Sequence, residues 1–303
     1  MPLKHCGRSP PGSSPLTLIL QLAINGLVFG SLLGLVALGL ALVFGVMRLV
    51  NFAHGEFITL GAYATYLLVT TTGVSPLWGI PIAALLGATI GLAVQMLVIS
   101  RLAGRPELEA LMATYALSIV GLGLFALAFG GDFRTYSAGP AGNVTLAGVV
   151  VGWRSITVLV ACVIVGAATL ALVSRARTGL GFRAVAQNRE AAAACGVNVV
   201  ASERLAFSVS VALAAICGAL ISFIGTTTPN VGHEWLLDGF VVVIVGGLGS
   251  ISGALVAALA IGLLHSFASY FLDDSWAQIM TYVLLYVALL VRPHGLLGAR
   301  SAT

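Results

Sequence analysis

The chain has 303 residues, 59% of them hydrophobic and only 8% charged, against about a quarter charged in soluble domains, which excludes an ordinary globular protein and points to a membrane one. Its 14 basic and 10 acidic residues leave a formal charge of +4, but long apolar stretches separate the basic side chains instead of gathering them on one solvated face, which excludes nucleic-acid binding. Lys4 is the only lysine, so a GxxxxGK[ST] loop, whose lysine must reach nucleotide phosphates, is excluded as well.

Residues 1–15, with Lys4 and Arg8, read as an N-terminal cytoplasmic extension. The apolar run behind them is far longer than a signal-peptide core and carries no cleavage site, so this end is expected to be retained. A helix needs about 20 apolar residues to cross roughly 30 Å of hydrocarbon. Seven charge-free gaps can be measured against that length: 9–47, 57–100, 110–131, 155–174, 205–233, 239–272 and 275–291. The first two are each long enough for two passes and the next three for one. The sixth holds two short passes or a re-entrant pair, and the last holds one. The predicted fold is all-α, a polytopic transmembrane helical bundle of eight to ten membrane segments, one of them broken or re-entrant. If the first two gaps each go out and back, only Arg134 and Arg154 are left outside. That agrees with the positive-inside rule and makes both termini cytoplasmic.

Along the chain, Gly26, Gly30 and Gly34 recur four apart on one helix face, and Gly87 and Gly91 repeat the spacing; such ladders let helices pack closely. Asn51, His54 and Glu56 fall between two apolar runs. They mark the inner interface, bond neighbouring helices, or line or gate a pathway, since ionisable groups within membranes tend to be functional. Residues 132–154 combine Gly139-Pro140 and Gly142-Asn143 with an alternating Val-Thr-Leu-Ala-Gly-Val stretch, the pattern of a small external hairpin. Residues 175–204 are the longest polar segment, with five arginines and two glutamates, and are expected in the cytoplasm. Inside it, Asn188 suits an N-cap, Glu190 the positive start of a helix and Gly196 the left-handed position that ends one. The resulting helix of about two turns is marginal alone in water. Either the membrane domain or a partner protein must hold it, unless it is a bare connector. Gly246, Gly247 and Gly249 lie near the turn of the sixth gap. They permit a backbone break, tolerated at membrane depth where it lines a cavity, or else close helix packing. Glu234, Asp238, Asp273 and Asp274 are expected on the outer side, as a solvated rim or a docking surface. Cys6, Cys162, Cys195 and Cys217 have no CxxC spacing, so neither a zinc site nor a disulfide framework is expected.

Glu190-Ala191-Ala192 followed by Gly196 resembles the EAAxxxG core of the loop by which membrane subunits of bacterial ABC importers meet their ATPases, although the Leu-Pro that closes the longer motif is absent after Leu205. Arg48-Leu49-Val50-Asn51-Phe52-Ala53-His54-Gly55-Glu56-Phe57, Arg183-Ala184-Val185-Ala186-Gln187-Asn188, Gly246-Gly247-Leu248-Gly249-Ser250 and Arg292-Pro293-His294-Gly295-Leu296-Leu297-Gly298 together resemble the LivH-type permease of branched-chain amino acid ABC transporters. The resemblance implies a permease domain over residues 16–298, a cytoplasmic coupling loop over 175–204 and a short tail at 299–303. It implies Asn188, Arg189, Glu190, Ala191, Ala192 and Gly196 as ATPase-coupling residues. It further implies two cytoplasmic ABC ATPase subunits, a second, LivM-like permease subunit, a periplasmic or extracellular solute-binding protein, and a multi-pass location in a bacterial inner membrane. This chain would bind no cofactor, ATP and Mg being used by the partner ATPases. The implied cargo is branched-chain amino acids, or urea or short amides as in related permeases.

Three rivals are weaker. An ion-coupled secondary transporter suits a polytopic bundle with a broken segment, but Glu56 is the one carboxylate expected inside the membrane. An intramembrane serine protease built on Ser252 and His265 lacks a nameable oxyanion donor or third residue. A channel lacks a ring of like charges or a filter-like repeat.

Overall fold

The structure, a computed structural model, describes residues 15–102, 105–137, 142–146, 148–292 and 295. The extension before residue 15, the Gly139-Pro140 turn, Pro293, His294 and the 299–303 tail lie outside the described residues.

Helix α1 (Pro15–Met47) is one continuous helix of 33 residues, about 50 Å long at 1.5 Å per residue. The expectation of two passes over 9–47 is therefore corrected. Pro15 occupies the first helical position, where proline is tolerated, and Leu32 to Val43 are buried without interruption. A helix apolar on every side belongs in the core.

What α1 packs against explains its glycines. Helix α10 (Ile251–Phe271) runs antiparallel beside it, with Gly26 against the backbone of Gly262 and Leu263, Gly30 against Ala258 and Gly262, and Gly34 near Leu255. The Ser266 hydroxyl donates to the Leu22 carbonyl at 2.7 Å. The second central helix is α8 (Val199–Ile224), against which α2 (His54–Thr72) and α3 (Gly79–Leu97) lie. Gly61 of α2 meets the backbone of Ala215, Gly218 of α8 meets that of Ile58, and Gly87 and Gly91 of α3 rest on Ala215 and Val211. Around this core stand α4 (Glu107–Phe129), α5 (Trp153–Arg175) and α11 (Asp274–Val291). The share of the apolar window that is buried, 78% in α1 and α8 against 17% in α4 and 11% in α11, separates centre from periphery.

Helix α9 (Val231–Gly246) pairs with α10 through a tight turn at 247–250, where Gly247 (φ 107°) and Gly249 (φ 81°) adopt backbone that side chains rarely tolerate. The pair therefore starts before residue 239. Glu234 and Asp238, expected in an outer loop, belong to α9. Glu234 falls in the first turn of α9, where the dipole favours an acid, and Asp238 falls in the helix interior, so bounding spans by charges misses both. Among the described residues, seven helices are long and apolar enough to cross a membrane; α2 and α9, shorter or more polar, run between them.

The hairpin forms as expected, β1 (Asn143–Leu146) pairing antiparallel with β2 (Val149–Gly152). It settles on the start of α1, where the Val150 N–H donates to Gln21 Oε1 at 3.0 Å and Gly148 lies against Thr17. The other end of α1 adjoins Gly249 and shares cavities with residues 185–190. Hairpin and polar loop thus lie at opposite ends of one helix.

Candidate functional site

Two regions gather the candidate residues. The first is the polar loop. Its leading half is a helix that sequence reasoning missed, α6 (Arg177–Gln187), burying Gly179, Phe182 and Val185. Phe182 and Val185 join Leu42, Val46, Val173, Ala192 and Ala206 in a small apolar seat under the loop. Arg183 ties α6 down, its guanidinium donating to the carbonyls of Val173 (2.5 Å) and Ser174 (2.6 Å), which the end of α5 leaves without helical partners.

Helix α7 (Arg189–Ala194) follows. Asn188 Oδ1 accepts the Ala191 N–H at 2.9 Å, an N-cap bond. At the other end the Val197 N–H reaches the Ala192 carbonyl and the Gly196 N–H that of Ala193, both at 3.0 Å, while Gly196 takes φ 82°. These paired bonds form a Schellman motif, which needs a left-handed residue and so favours glycine. Asn188, Arg189, Glu190, Ala191 and Gly196 are exposed, whereas Ala192 is buried and anchors the helix in the apolar seat. Replacing Asn188 with alanine is expected to weaken α7 by about 1 kcal/mol. It should be seen as faster amide exchange across 190–194, with α1 and α8 unaffected.

One further residue belongs here. Arg189 pairs with Glu203 at 3.0 Å, and the Glu203 side chain is only 7% exposed. The pair ties α7 directly to the first turns of α8. Nothing in the sequence marks Glu203 as a partner, because a separation of fourteen positions across two helices carries no periodic signal.

The second region is the inner start of α2. Residues 48–53 between α1 and α2 are not helical, and Arg48 takes φ 52°. Asn51 is 1% exposed, His54 0% and Glu56 7%, so these three lie inside the bundle rather than at its inner interface. The His54 ring packs against Gly39, eight residues, or about 12 Å, in from the end of α1. Non-helical backbone at such depth survives where protein surrounds it. Asn51 Oδ1 accepts the Ala53 N–H at 3.1 Å, and Glu56 Oε1 accepts the Ser118 hydroxyl of α4 at 2.9 Å. The Phe52 ring lies 5.2 Å from Phe240 and 5.9 Å from Tyr115.

Three of the cavities among the described residues adjoin these groups. One of about 900 Å³ lies at the polar-loop end, between Phe44, Arg48, Val50, Glu107, Ala186 and Gly249. A second, of about 390 Å³, separates the end of α1 from residues 185–190. The third, of about 440 Å³, lies among α2, α3 and α4 beside Glu56. Of the three candidate glycines only Gly249 lines the large cavity. Gly246 packs on Gly253, and Gly247 on Gly295.

One sequence alternative loses its geometry. Ser252 and His265 sit thirteen residues apart on α10, about 20 Å along one helix, so they form no dyad. His265 instead stacks on Phe29 at 4.5 Å. Among the described residues no group of three His, Cys, Asp or Glu side chains is placed to hold a metal ion.

Comparison with known proteins adds the following. The family described as branched-chain amino acid transport system / permease component matches residues 22–289. The high-affinity branched-chain amino acid transport system permease protein LivH of Salmonella typhimurium is 29% identical, over 92% of this chain and 95% of its own length. The corresponding permease protein BraD of Pseudomonas aeruginosa is 28% identical, over 92% and 95%. A probable branched-chain amino acid transport permease protein LivH of Methanocaldococcus jannaschii is 27% identical, over 90% and 91%. Among solved structures, PsaBC from Streptococcus pneumoniae in complex with Fab aligns at a TM-score of 0.49 and 14% identity, over 89% of this chain and 91% of that one.

Proposed function

The chain belongs to the family of permease components of branched-chain amino acid transport systems, and we propose that it forms half of the membrane pathway of an ATP-driven importer. Its cargo is leucine, isoleucine, valine or a closely related amino acid, handed over by a periplasmic or extracellular solute-binding protein. A second, related permease subunit completes the pathway in a bacterial inner membrane. Two cytoplasmic ATPases, using ATP and Mg, drive it.

The observation that carries this reading is the build of α7. Six residues of helix are capped at both ends, seated on the membrane domain by Ala192 and pinned to α8 by Arg189 and Glu203. Their remaining face, with Glu190 and Ala191, is exposed, as is Gly196 just beyond the last turn. A lever needs this combination of a free face and a stiff root. A push on α7 passes through the ion pair into α8, and from there into α1, α2 and α3, which pack on it. Asn51, His54 and Glu56 lie where that motion would alter a pathway, and Gly249 borders the large cavity through which cargo would leave.

The reading also revises the placement of the termini. With α1 a single pass, the hairpin and the start of α1 face outward, and α6–α7 face the cytoplasm. Among the described residues this puts nine arginines inside (48, 101, 105, 175, 177, 183, 189, 204 and 292) and Arg134 and Arg154 outside, still the sign the positive-inside rule requires. In a background without other cysteines, a membrane-impermeant maleimide added to intact cells stripped of their outer layer is expected to label Leu16→Cys and Asn143→Cys. The native Cys195, exposed beside α7, should label only after permeabilisation. Labelling of Cys195 from outside would overturn the arrangement.

Purification from native membrane is expected to bring down an ATPase and a second permease, and the reconstituted complex to take up leucine only with ATP and the binding protein. Uptake driven by a proton gradient in vesicles holding this chain alone would refute the importer. Uptake of urea or acetamide in place of leucine would reassign the cargo.

A further inference from the structure

The third cavity has a composition that the packing of the bundle does not call for. Its walls are apolar, formed by Ala53 just before α2, Phe57 and Leu60 of α2, Ile90 and Val94 of α3, and Leu117, Val120 and Leu124 of α4 among others, with one carboxyl group, Glu56, set into them. Glu56 is 7% exposed. Its Oε1 is engaged by Ser118, but its Oε2 is buried without a hydrogen-bond partner. Gly121 of α4 leaves the room this side chain occupies, since a Cβ there would lie 2.8 Å from Glu56 Cγ. An unpaired carboxyl oxygen in apolar surroundings is costly, and a cationic donor removes the cost.

We propose that this cavity is a binding subsite for the ammonium end of an aliphatic amino acid, with the Glu56 carboxyl turning to bring Oε2, closed off from the cavity in this structure, onto the ammonium, and the leucines, Ile90 and Val94 enclosing the hydrocarbon side chain. The proposal rests on the importer reading and adds to it a residue that touches cargo. About 440 Å³ falls within the range of small-molecule sites. A lipid acyl chain would suit the walls equally but would leave Oε2 without a donor, whereas an ammonium brings three N–H groups. No basic side chain lines the cavity, so the solute's carboxylate stays at the open mouth. The subsite therefore recognises the amine and the branched chain, not the acid.

The test uses the complete transporter in vesicles, with its native cysteines replaced by alanine and Val120→Cys as a reporter on the cavity wall. Val120 is 58% exposed, and its labelling by a membrane-permeant maleimide reads whether the cavity is filled. L-leucine and 3-methylbutylamine are expected to slow labelling, and 4-methylpentanoate, which lacks the amine, is not. Glu56→Gln should raise the concentration of leucine or amine needed for half-protection by about tenfold or more, as expected for loss of a charged hydrogen bond, with Glu56→Asp in between. Equal protection by all three compounds, or protection unchanged in Glu56→Gln, would make the cavity a lipid crevice and overturn the proposal. Absence of protection by any compound would overturn it too. If Glu56→Gln fails to insert, the three-compound comparison on otherwise unaltered protein still decides. Leucine uptake by the same vesicles separates the two readings. Uptake without protection sinks the subsite alone, while protection without ATP-driven uptake of any branched-chain amino acid sinks the importer reading.

Discussion

Reversing the charge of Glu190 and placing tryptophan at Gly196 together is expected to reduce ATP-driven uptake to background while leaving the permease folded. Two observations separate function from stability here. Glu190 is exposed in the first turn of α7, where its contribution through the helix dipole is roughly 0.3–1 kcal/mol. A Cβ at Gly196 would meet nothing within 4 Å, so the local cost of placing one there is that of the left-handed backbone, about 1–2 kcal/mol. On the proposed coupling role, the tryptophan would project into the space a docking ATPase would occupy, beside a charge of the wrong sign. A loss of at least about tenfold in uptake corresponds to about 1.4 kcal/mol of lost coupling. ATP-driven transport in vesicles, read beside the thermal melting of the detergent-solubilised complex, checks both halves. Unaltered uptake would remove α7 from any role in coupling.

The second large effect is on the fold. Gly218→Val is expected to prevent α2 and α8 from packing, because even a Cβ at this position would lie 1.8 Å from the Ile58 carbonyl oxygen. That atom belongs to helix backbone and cannot swing aside. Gly61, whose Cβ would lie 1.8 Å from the Ala215 oxygen, makes the matching contact from the other helix. Overpacking of this kind costs about 3 kcal/mol or more, so little folded protein should be recovered from the membrane and its melting temperature should fall sharply. Gly123→Ala is the control. It sits on the same kind of helix, but a Cβ there meets nothing within 4 Å, and its melting temperature should not drop. Normal recovery and melting of Gly218→Val would show that the α2–α8 contact is looser than the structure has it.

How far each element could be read from residues follows from the reach of the force that forms it. Helix α7 was legible because its caps act within a few residues: Asn188 bonds the amide of Ala191, and Gly196 closes the last turn. The glycine ladder of α1 was legible as a packing face, but not its partner, since Gly26 and Gly30 meet Gly262 and Ala258 more than two hundred positions away. Helix α6 was missed because Gly179 and Gly181 lower its intrinsic helicity, and its apolar face gains meaning only against the seat of Leu42, Val46 and Ala206. Glu203, in turn, looked like one more charge at the end of a polar loop.

The residues alone determined a charge-poor, all-helical membrane bundle, because burying or exposing apolar surface to lipid is decided by composition over about 20 residues. They also determined the short capped helix in the longest polar segment. Tertiary structure decided the number of passes in residues 15–47, since a run apolar on every face suits one buried helix or two lipid-facing ones equally, and only pairing with α10 distinguishes them. It decided as well that Asn51, His54 and Glu56 lie deep in the bundle and that Arg189 finds a buried carboxylate on α8. Burial and long-range ion pairing depend on which surfaces meet, and a stretch of chain read alone does not contain the surface it will meet.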